Sequence, residues 1–399
     1  MAIEQCDVLI IGAGPAGSLA AALLVQQGKK VIVIEREQFP RFSIGESLLP
    51  QSMEYLERAN LLKPIIEAGF QHKNGAAFIY RDKYTEFDFR DKFSDGWGTT
   101  YQVERSAFDF ILANEAQKLG ADIRYKQTVV KFEFPFITIQ SAEKNLYQIK
   151  TKFVLDASGF GRVLPKLLDL EMPSNFPVRG AVFTHIQDNI VDNNYDRNKI
   201  RIITHPDHID VWYWLIPFSN NRCSIGIVAK KEFFSHRDLK NWVNEEPSLR
   251  ALLKNAIWDT PAREIMGYAS NVKSLYGTDY ALLGNAGEFL DPIFSSGVTI
   301  AFKSAFLAAN LLNKQFAGEN INWQTEYATP LKKGVDTFRT FVESWYSGKF
   351  QNVIFHDTQP PEIRRMISSI LAGYAWDENN PFVKHSERRL KALEELCNA

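Results

Sequence analysis

The sequence predicts an α/β fold with three parts: a parallel-sheet domain, an inserted antiparallel β-sheet domain and a helical C-terminal region. Three observations predict it. The first 35 residues fit a strand, a glycine turn, a helix and a second strand, in that order. Residues 176–261 contain segments in which apolar and polar side chains alternate, as in strands with one buried face. Beyond residue 331, apolar side chains recur at helical spacing.

The composition is that of an ordinary globular protein. The chain has 399 residues, 45% hydrophobic and 23% charged, which suits two or more lobes around sizeable cores. A net charge of −1 argues against nucleic acid or an anionic membrane surface as a partner. The cysteines, Cys6, Cys223 and Cys397, are far apart and odd in number. We therefore expect no disulfide framework, no zinc cluster and a reducing, cytoplasmic setting.

The apolar run from Val8 to Val25 raises the question of a targeting or membrane-spanning segment. Three glycines and a proline interrupt the run, and acidic residues precede it where a signal peptide would have basic ones. We therefore expect neither a signal peptide nor stable membrane insertion.

A G-x-G-x-x-G pattern, formed by Gly12, Gly14 and Gly17, follows the continuous apolar run Val8 to Ile11. Gly12 permits the turn, Gly14 lets the backbone approach a pyrophosphate, and Gly17 lets the helix pack closely on the strand. The helix N-terminus adds unpaired N–H groups and a favourable dipole. This arrangement is typical of a Rossmann-like dinucleotide site.

The residues that follow this unit indicate which dinucleotide, NAD, NADP or FAD, the site binds. A second strand, Lys30 to Ile34, ends at Glu35, a carboxylate in position to accept a ribose hydroxyl. An acid there leaves little room for a 2′-phosphate, which argues against NADP. The next stretch, Phe39 to Pro50, does not begin another βα unit, as an NAD dehydrogenase would. Its Arg41 and Ser47 suit phosphate or ribityl groups, which favours FAD.

Three later segments complete a recognisable order. Gln102 to Leu112 begins a helix with Arg105 in its first turn. Val154 to Arg162 fits a strand and a glycine turn, and Tyr280 to Ala305 fits a strand, a turn and a helix. In this order the segments resemble the FAD-dependent monooxygenase superfamily, which includes the aromatic hydroxylases. The resemblance implies a Rossmann-like FAD-binding domain, an inserted antiparallel β-sheet substrate domain and a helical C-terminal region.

The resemblance also implies which residues contact FAD. They are Gly12, Gly14, Ala16, Gly17, Glu35, Arg36, Arg41, Ser47, Arg105, Asp156, Gly284, Asn285, Pro292, Gly297 and Val298. The family commonly has Gly-Asp in the ribityl turn, where this chain has Gly284-Asn285; an amide still forms hydrogen bonds there but carries no charge. We expect Glu288 to be a solvated carboxylate, with tuning of the flavin as the alternative.

Three motifs narrow the resemblance to one family. Val211 to Phe218 contains W-x-W-x-I-P, and Phe289 to Gly297 contains F-x-x-P-x-x-S-x-G. Phe70 to Phe78 is similar to the segment that carries a functional lysine, which is Lys73 in this chain. Together the motifs resemble the flavin-dependent halogenases, which lie within the same superfamily and near the geranylgeranyl-reductase-like flavoproteins.

The halogenase resemblance implies that reduced FAD, O2 and a halide ion, chloride or bromide, yield hypohalous acid, which travels to a separate substrate pocket. Trp212 and Trp214 then form a partition, Lys73 handles the oxidant beyond it, and Ser295 opens a helix that offers donors to the halide. Two routes stay open for Lys73: an ammonium that hydrogen-bonds hypohalous acid, or a neutral amine that forms a haloamine. Taken alone, the two tryptophans would be ordinary core and Lys73 a surface lysine.

One departure narrows the substrate. Tryptophan halogenases have a Glu immediately before the conserved Ser of the second motif, whereas this chain has Phe294. We therefore expect an electron-rich phenol, pyrrole or other activated carbon, either free or bound to a carrier protein. The alternative is an FAD-dependent monooxygenase or dehydrogenase/reductase of the same fold that does not halogenate.

The pair His205 and His208 flanks Pro-Asp in a turn, and we expect no metal site there.

The expected partners follow from the same reasoning. They are an aromatic small-molecule substrate, an acyl carrier protein in the carrier-bound case, and a separate flavin reductase. The reductase is expected because the chain has no second G-x-G-x-x-G unit for NAD(P)H. Aromatic hydroxylases also lack such a unit and still react with NADPH, so direct reduction stays open.

The domains are expected to be discontinuous in sequence. Residues 1–75, 100–175 and 262–330 form the FAD-binding domain in this division. Residues 76–100 and 176–261 form the β-sheet substrate domain, and residues 331–399 form the helical C-terminal cap.

Overall fold

The computed structural model describes residues 3–174, 176–234, 238–268, 270–356 and 359–397. The strands are β1 (Glu4–Ile11), β2 (Val31–Ile34), β3 (Gln71–Lys73), β4 (Gly75–Tyr80), β5 (Lys83–Asp88), β6 (Thr100–Gln102), β7 (Asp122–Arg124), β8 (Thr128–Glu133), β9 (Phe136–Gln140), β10 (Leu146–Asp156), β11 (Glu171–Pro173), β12 (Arg179–Gln187), β13 (Lys199–Thr204), β14 (Trp212–Pro217), β15 (Arg222–Lys230), β16 (Arg263–Met266), β17 (Ser270–Val272) and β18 (Tyr280–Leu282). The helices are α1 (Pro15–Gln26), α2 (Gln51–Arg58), α3 (Leu62–Glu67), α4 (Arg105–Lys118), α5 (Val163–Leu167), α6 (Leu239–Glu245), α7 (Pro247–Leu252), α8 (Gly297–Phe316), α9 (Thr329–Tyr346), α10 (Lys349–Ile354), α11 (Pro361–Leu371), α12 (Pro381–Lys384) and α13 (Ser386–Cys397).

The first large sheet contains the predicted nucleotide-binding unit. Its order is β7-β2-β1-β10-β9-β8, with β18 paired to the end of β10. Strands β7, β2, β1, β10 and β18 run parallel, while β9 and β8 return antiparallel. Every side chain from Val8 to Ile11 is buried, because the sheet is covered on both faces. That double coverage explains why β1 is continuously apolar.

Helix α1 follows β1 after a tight glycine turn and packs against α8 in the interior. Pro15 occupies the start of α1, where its missing N–H removes no helical hydrogen bond. The residues from Pro15 to Leu24 are all buried, which suits a helix without charged residues. Helix α1 is therefore an interior helix that packs on α8.

The second large sheet is the inserted one, with the order β16-β12-β15-β14-β13-β4-β5. All its pairs are antiparallel except β13 and β4, which run parallel. One face packs with α6 and α7, and the other joins the main core shared with the first sheet and the C-terminal helices. The predicted α/β architecture with an inserted sheet is confirmed. Strand β16 belongs to this sheet, although its residues lie in the stretch 262–330 that we assigned to the FAD-binding domain.

Helices α9 to α13 form the C-terminal region. Phe338, Phe341 and Trp345 of α9 are fully buried in the main core, so this region packs tightly against the rest of the molecule. Across the part of the chain that the structure describes, no helix combines the length and apolarity needed to cross a membrane.

Candidate active site

The glycine turn between β1 and α1 forms a cradle with no room for side chains at two positions. A Cβ on Gly12, whose φ is +95°, would lie 2.7 Å from the carbonyl oxygen of Ala157. A Cβ on Gly17 would lie 1.9 Å from the carbonyl oxygen of Gly12. A Cβ on Gly14 would meet Arg41 Nη2 as its nearest atom, at 3.5 Å. The backbone of Gly14 is therefore open to the approach of a ligand.

Glu35 lies at the end of β2 beside this turn. It is 6% exposed, and its Oε2 accepts a hydrogen bond of 2.8 Å from the backbone N–H of Ala13. Its Oε1 accepts one from the N–H of Glu37. Ala16 is buried in the first turn of α1. The carboxylate is thus fixed beside the start of the helix, where a ribose would lie in a bound dinucleotide.

Two of the three arginines implied as FAD contacts converge on one buried acid. Asp109, fully buried on α4, accepts from Arg105 Nε at 2.7 Å and from Arg41 Nη1 at 3.1 Å. Arg105 also donates to the carbonyl oxygen of Ile44 at 2.6 Å, which ties α4 to the loop 39–50. Arg36 is largely exposed and pairs with Glu37. We did not identify Asp109 as a site residue from the sequence. Its i, i+4 spacing from Arg105 could have indicated this ion pair on one helix face.

Asp156 stabilises the turn after β10. Its two carboxylate oxygens accept hydrogen bonds from the backbone N–H groups of Ser158 at 2.9 Å and Leu164 at 2.6 Å. Complete burial raises the pKa of Asp156, and the hydrogen bonds partly oppose that rise. Both carboxylate oxygens of Asp156 thus bind backbone N–H groups. The role of Asp156 is to shape the turn that faces the cradle.

The ribityl turn follows β18. Gly284 has φ +51°, and a Cβ there would approach the Ala301 side chain of α8 to 2.9 Å. Its N–H donates to Ser304 Oγ of α8 at 2.9 Å, so the turn is held on that helix. The carbonyl oxygen of Asn285 accepts from Arg162 Nη1 at 3.3 Å, and the Asn285 residue is partly exposed.

The F-x-x-P-x-x-S-x-G motif forms the approach to α8. Pro292 begins a single 3₁₀ turn, and Ser295 ends it in the left-handed conformation with φ +56°. Gly297 and Val298 then open a helix of 20 residues, and a Cβ on Gly297 would meet open space. The motif therefore presents free N–H groups and a positive helix end to an accessible space, which suits a flavin carbonyl or an anion.

Phe294 packs into apolar surroundings at the position where tryptophan halogenases carry a Glu. It is 3% exposed and contacts Trp345 and Phe350 edge-on, with ring centroids 6.0 Å and 5.7 Å away.

Glu288, which lies just before the motif, differs from the sequence-based expectation. It is only 6% exposed, with Arg339 Nη2 at 3.2 Å, so the prediction of a solvated carboxylate is wrong. Burial raises the pKa of Glu288 despite that arginine.

The two tryptophans of β14 project from the same face of the inserted sheet into the main core. Trp212 is 2% exposed, Trp214 is 6% exposed, and their ring centroids are 5.9 Å apart. Trp214 lies across Gly226 on the next strand, where a Cβ would come within 2.3 Å of the indole. Register places Trp214, Ile202 and Phe78 in one row across β14, β13 and β4. An apolar row thus extends toward the segment that carries Lys73.

Both indole N–H groups are satisfied. Trp214 Nε1 donates to Ser224 Oγ at 3.0 Å, and Trp212 Nε1 donates to the hydroxyl of Tyr346 at 2.9 Å. The Tyr346 hydroxyl in turn hydrogen-bonds Asp291, which is 4% exposed. Asp291 Oδ2 also accepts from the Tyr268 hydroxyl at 3.0 Å. This network links the tryptophan motif to the second motif through α9, and no sequence pattern predicted it.

Lys73 is a buried amine at the end of β3. It is 1% exposed, and its Nζ donates to Ser47 Oγ at 2.7 Å and to the carbonyl oxygen of Leu48 at 2.8 Å. The ring of Phe89 lies 5.4 Å away. Desolvation lowers the pKa of Lys73 from 10.5 to about 7, so both protonation states are accessible near neutrality. Ser47, which we assigned to the cofactor, therefore contacts the lysine of the halogenase-like segment.

The residues around the cradle fit FAD on three structural grounds. The glycine turn leaves a backbone surface free of side chains, Glu35 is fixed beside the helix start, and α8 opens on empty space at Gly297. The ribityl turn lies beside this cradle, since a Cβ on Gly284 would be 3.9 Å from the Ala16 side chain. Gly14, Glu35, Gly284 and Gly297 would hold the cofactor.

Comparison with known proteins agrees with this geometry. Residues 5–273 match the family model described as FAD binding domain. A 1H-pyrrole-2-carbonyl-[peptidyl-carrier protein] chlorinase from Pseudomonas fluorescens is 29% identical over 99% of this chain and 93% of its own. A 1H-pyrrole-2-carbonyl-[peptidyl-carrier protein] brominase from Pseudoalteromonas luteoviolacea is 30% identical over 81% of this chain and 80% of its own.

The chain is also similar to solved structures over nearly its whole length. A flavoprotein/dehydrogenase from Cytophaga hutchinsonii superposes with a TM-score of 0.95, at 41% identity over 99% of both chains. The domain match names the cofactor, FAD, and the curated relatives are halogenating enzymes. The chain is an FAD-dependent oxidoreductase that belongs to the flavin-dependent halogenase family.

Proposed function

We propose that this enzyme halogenates an electron-rich aromatic ring held on a carrier protein, with a pyrrole as the substrate class tested first. Two observations support the substrate. Two relatives, which cover 99% and 81% of this chain, are named for a pyrrole-2-carbonyl group on a peptidyl-carrier protein. Phe294 occupies the place of the Glu of tryptophan halogenases and packs among aromatic rings.

The buried amine of Lys73 is the observation that carries the proposal. FAD held by Gly14, Glu35, Gly284 and Gly297 would, when reduced, supply hypohalous acid from O2 and halide. The amine donates to two acceptors, Ser47 Oγ and the Leu48 carbonyl. A neutral amine has two N–H donors, so both are used and its lone pair is left unshared. Burial favours that neutral form. Of the two routes for Lys73, these contacts favour the haloamine.

Trp212 and Trp214 are assigned to keep the aromatic substrate away from the flavin. Their indoles are packed, and both N–H groups are bonded, so neither ring is free to swing aside. The apolar row that begins at Trp214 reaches Phe78 on β4, and β4 starts two residues after Lys73. A small oxidant passes such a screen more readily than an aromatic ring does. Ser295, Gly297 and Val298 are assigned to the halide and flavin side at the start of α8.

The electron source is assigned to a separate flavin reductase, because the sequence contains no second G-x-G-x-x-G unit for NAD(P)H. A cytoplasmic location fits the buried, unpaired thiols of Cys6 and Cys223.

The experiment compares acceptors in one assay. Purified enzyme, a flavin reductase, NADH, O2 and bromide are supplied with pyrrole-2-carbonyl on a carrier protein, with free pyrrole-2-carboxylate, or with a panel of phenols. The proposal predicts brominated product on the carrier-bound pyrrole and at least tenfold less on the free acid. Product on free phenols alone would retain halogenation but reject the carrier.

A dehydrogenase or monooxygenase is the second candidate, because the Cytophaga hutchinsonii structure at 41% identity is named a flavoprotein/dehydrogenase. Oxygenated or desaturated product that forms equally without halide would select this candidate. Halide-dependent product with a mass shift of bromine for hydrogen would reject it.

A further inference from the structure

The short strand pair β3–β6 places a buried polar group directly opposite Lys73. Register pairs Lys73 with Thr100 and Gln71 with Gln102, and Ser47 forms an isolated bridge to Gln102. Residues directly opposed in an antiparallel pair project to the same face. Lys73, Thr100, Gln102 and Ser47 therefore share one face.

Burial alternates along both strands in agreement with this register. Lys73 and Thr100 are each 1% exposed, and Gln102 is fully buried. On the opposite face His72 is exposed and meets the half-buried ring of Tyr101 edge-on, with centroids 6.4 Å apart. The inward face of the pair is thus polar, where an ordinary core would be apolar.

Two atoms on this inward face have no hydrogen-bond partner among the described residues: Thr100 Oγ1 and Gln102 Oε1. Gln102 Nε2 donates to the carbonyl oxygen of Arg197 at 2.9 Å, which fixes the amide and leaves its oxygen as a free acceptor. A buried polar atom without a partner is unfavourable, so an occupant that supplies the missing bonds is expected. The amine of Lys73, with its lone pair unshared, lies on the same face.

We propose that Thr100 and Gln102 are further catalytic residues that bind the hydroxyl end of hypohalous acid while Lys73 takes the halogen. Gln102 Oε1 accepts the O–H of the acid, and the Thr100 hydroxyl donates to its oxygen. This inference rests on the proposed function and adds two residues to it. Hypohalous acid is small, and its oxygen carries one O–H donor and also accepts hydrogen bonds. It can therefore satisfy both Gln102 Oε1 and Thr100 Oγ1.

The chemical step balances. The nitrogen lone pair of Lys73 forms the N–X bond while the O–X bond breaks and its electron pair stays on oxygen. That oxygen takes a proton from the amine and leaves as water, with Thr100 donating to it throughout. The halogen then passes from nitrogen to the ring carbon, and the proton displaced from that carbon restores the amine. The net reaction is hypohalous acid plus arene to halogenated arene plus water.

The test uses the holoenzyme with Thr100→Val, which keeps the shape and removes the hydroxyl. Bromination per O2 consumed should fall at least tenfold, and the hypobromous acid trapped by an added scavenger should rise in proportion. Flavin reoxidation should be unchanged, and Thr100→Ser should restore most of the bromination. Tyr101→Phe, on the same strand but the opposite face, serves as the matched control and should behave as wild type.

Stability separates a catalytic role of Thr100 from a structural one. Because Thr100 Oγ1 has no internal partner, the catalytic role predicts that Thr100→Val has a denaturation midpoint equal to or above that of the wild type. A lower midpoint without rescue by Thr100→Ser would overturn the inference, as would bromination at the wild-type level.

A second arm separates this inference from the proposed function. Hypobromous acid is added directly with the acceptor, and flavin, reductase and NADH are omitted. Wild-type protein should accelerate bromination over buffer, and Thr100→Val should accelerate it at least tenfold less. If the complete system yields no brominated product but this difference is seen, the proposed function fails and the inference stands. Equal rates for the two proteins would overturn the inference alone.

Discussion

Lys73 Nζ lies 2.7 Å from Ser47 Oγ, although the two residues come from motifs that we assigned to different tasks. Ser47 belongs to the loop 39–50, whose Ile44 carbonyl is bound by Arg105, and Lys73 ends β3. The contact joins the expected cofactor loop to the expected oxidant site by a single hydrogen bond. It sets the amine at a fixed place relative to that loop, and it removes one donor from the amine.

The lowered pKa of Lys73 predicts a pH dependence of stability. Its folded-state pKa is about 7 and its ordinary value is 10.5, so between these values the unfolded chain binds a proton that the folded protein has released. Stability therefore rises with pH in this window. Relative to Lys73→Met, the wild type should gain up to about 1.4 kcal/mol of unfolding free energy per pH unit between pH 7 and 10.

Urea unfolding at pH 7, 8 and 9 measures this gain. Lys63→Met is the control, because the side chain of Lys63 is 84% exposed, and its pH dependence should equal that of the wild type. A constant difference between wild type and Lys73→Met over this range would show that the folded amine keeps an ordinary pKa.

The close approach at Gly17 predicts the effect of a single added methyl group. Its Cβ in Gly17→Ala would lie 1.9 Å from the Gly12 carbonyl oxygen, so α1 must shift away from the turn. We expect FAD affinity to fall at least tenfold, measured by titration of the apoprotein with FAD and by flavin fluorescence. Gly161→Ala, where the nearest atom would be 3.4 Å away, should bind FAD as the wild type does. Unchanged affinity in Gly17→Ala would refute the assigned cradle.

The network through Tyr346 predicts a stability effect. Tyr346→Phe removes the acceptor of the Trp212 N–H and one donor to Asp291, and both partners are buried. We expect a loss of about 1–3 kcal/mol of unfolding free energy, because the buried Trp212 N–H is left without an acceptor and Asp291 loses one of its donors. Chemical denaturation measures it, with Tyr84→Phe on the exposed surface as a control expected within about 0.5 kcal/mol of wild type. A Tyr346→Phe variant as stable as its control would mean that Trp212 is not held by this bond.

The local parts of the fold and site were predictable from sequence because their signals are local. The turn of Gly12 to Gly17, the buried strand β1 and the strand of Trp212 and Trp214 each depend on spacing within a few residues. The contacts that give the site its chemistry are long-range. Ser47 meets Lys73 across 26 residues, and Trp212 meets Tyr346 across 134.

Glu288 shows why such contacts escape a sequence. Its charge partner Arg339 is 51 residues away on α9, and nothing near Glu288 in the chain indicates that a helix will cover it. Asp109 was recoverable, since Arg105 lies one helical turn before it. The parallel pairing of β13 with β4 was also hidden, because the order of strands in a sheet depends on tertiary packing.

The most direct measurement follows bromide turnover in wild type and Lys73→Met side by side, with brominated product determined by mass spectrometry and flavin reoxidation by absorbance. Lys92→Met, at another largely buried lysine whose Nζ donates to the Gly96 carbonyl, controls for the loss of a buried amine. We expect Lys73→Met to reoxidise flavin at the wild-type rate yet form no brominated product, while Lys92→Met brominates normally. Bromination by Lys73→Met at a rate near that of the wild type would contradict it.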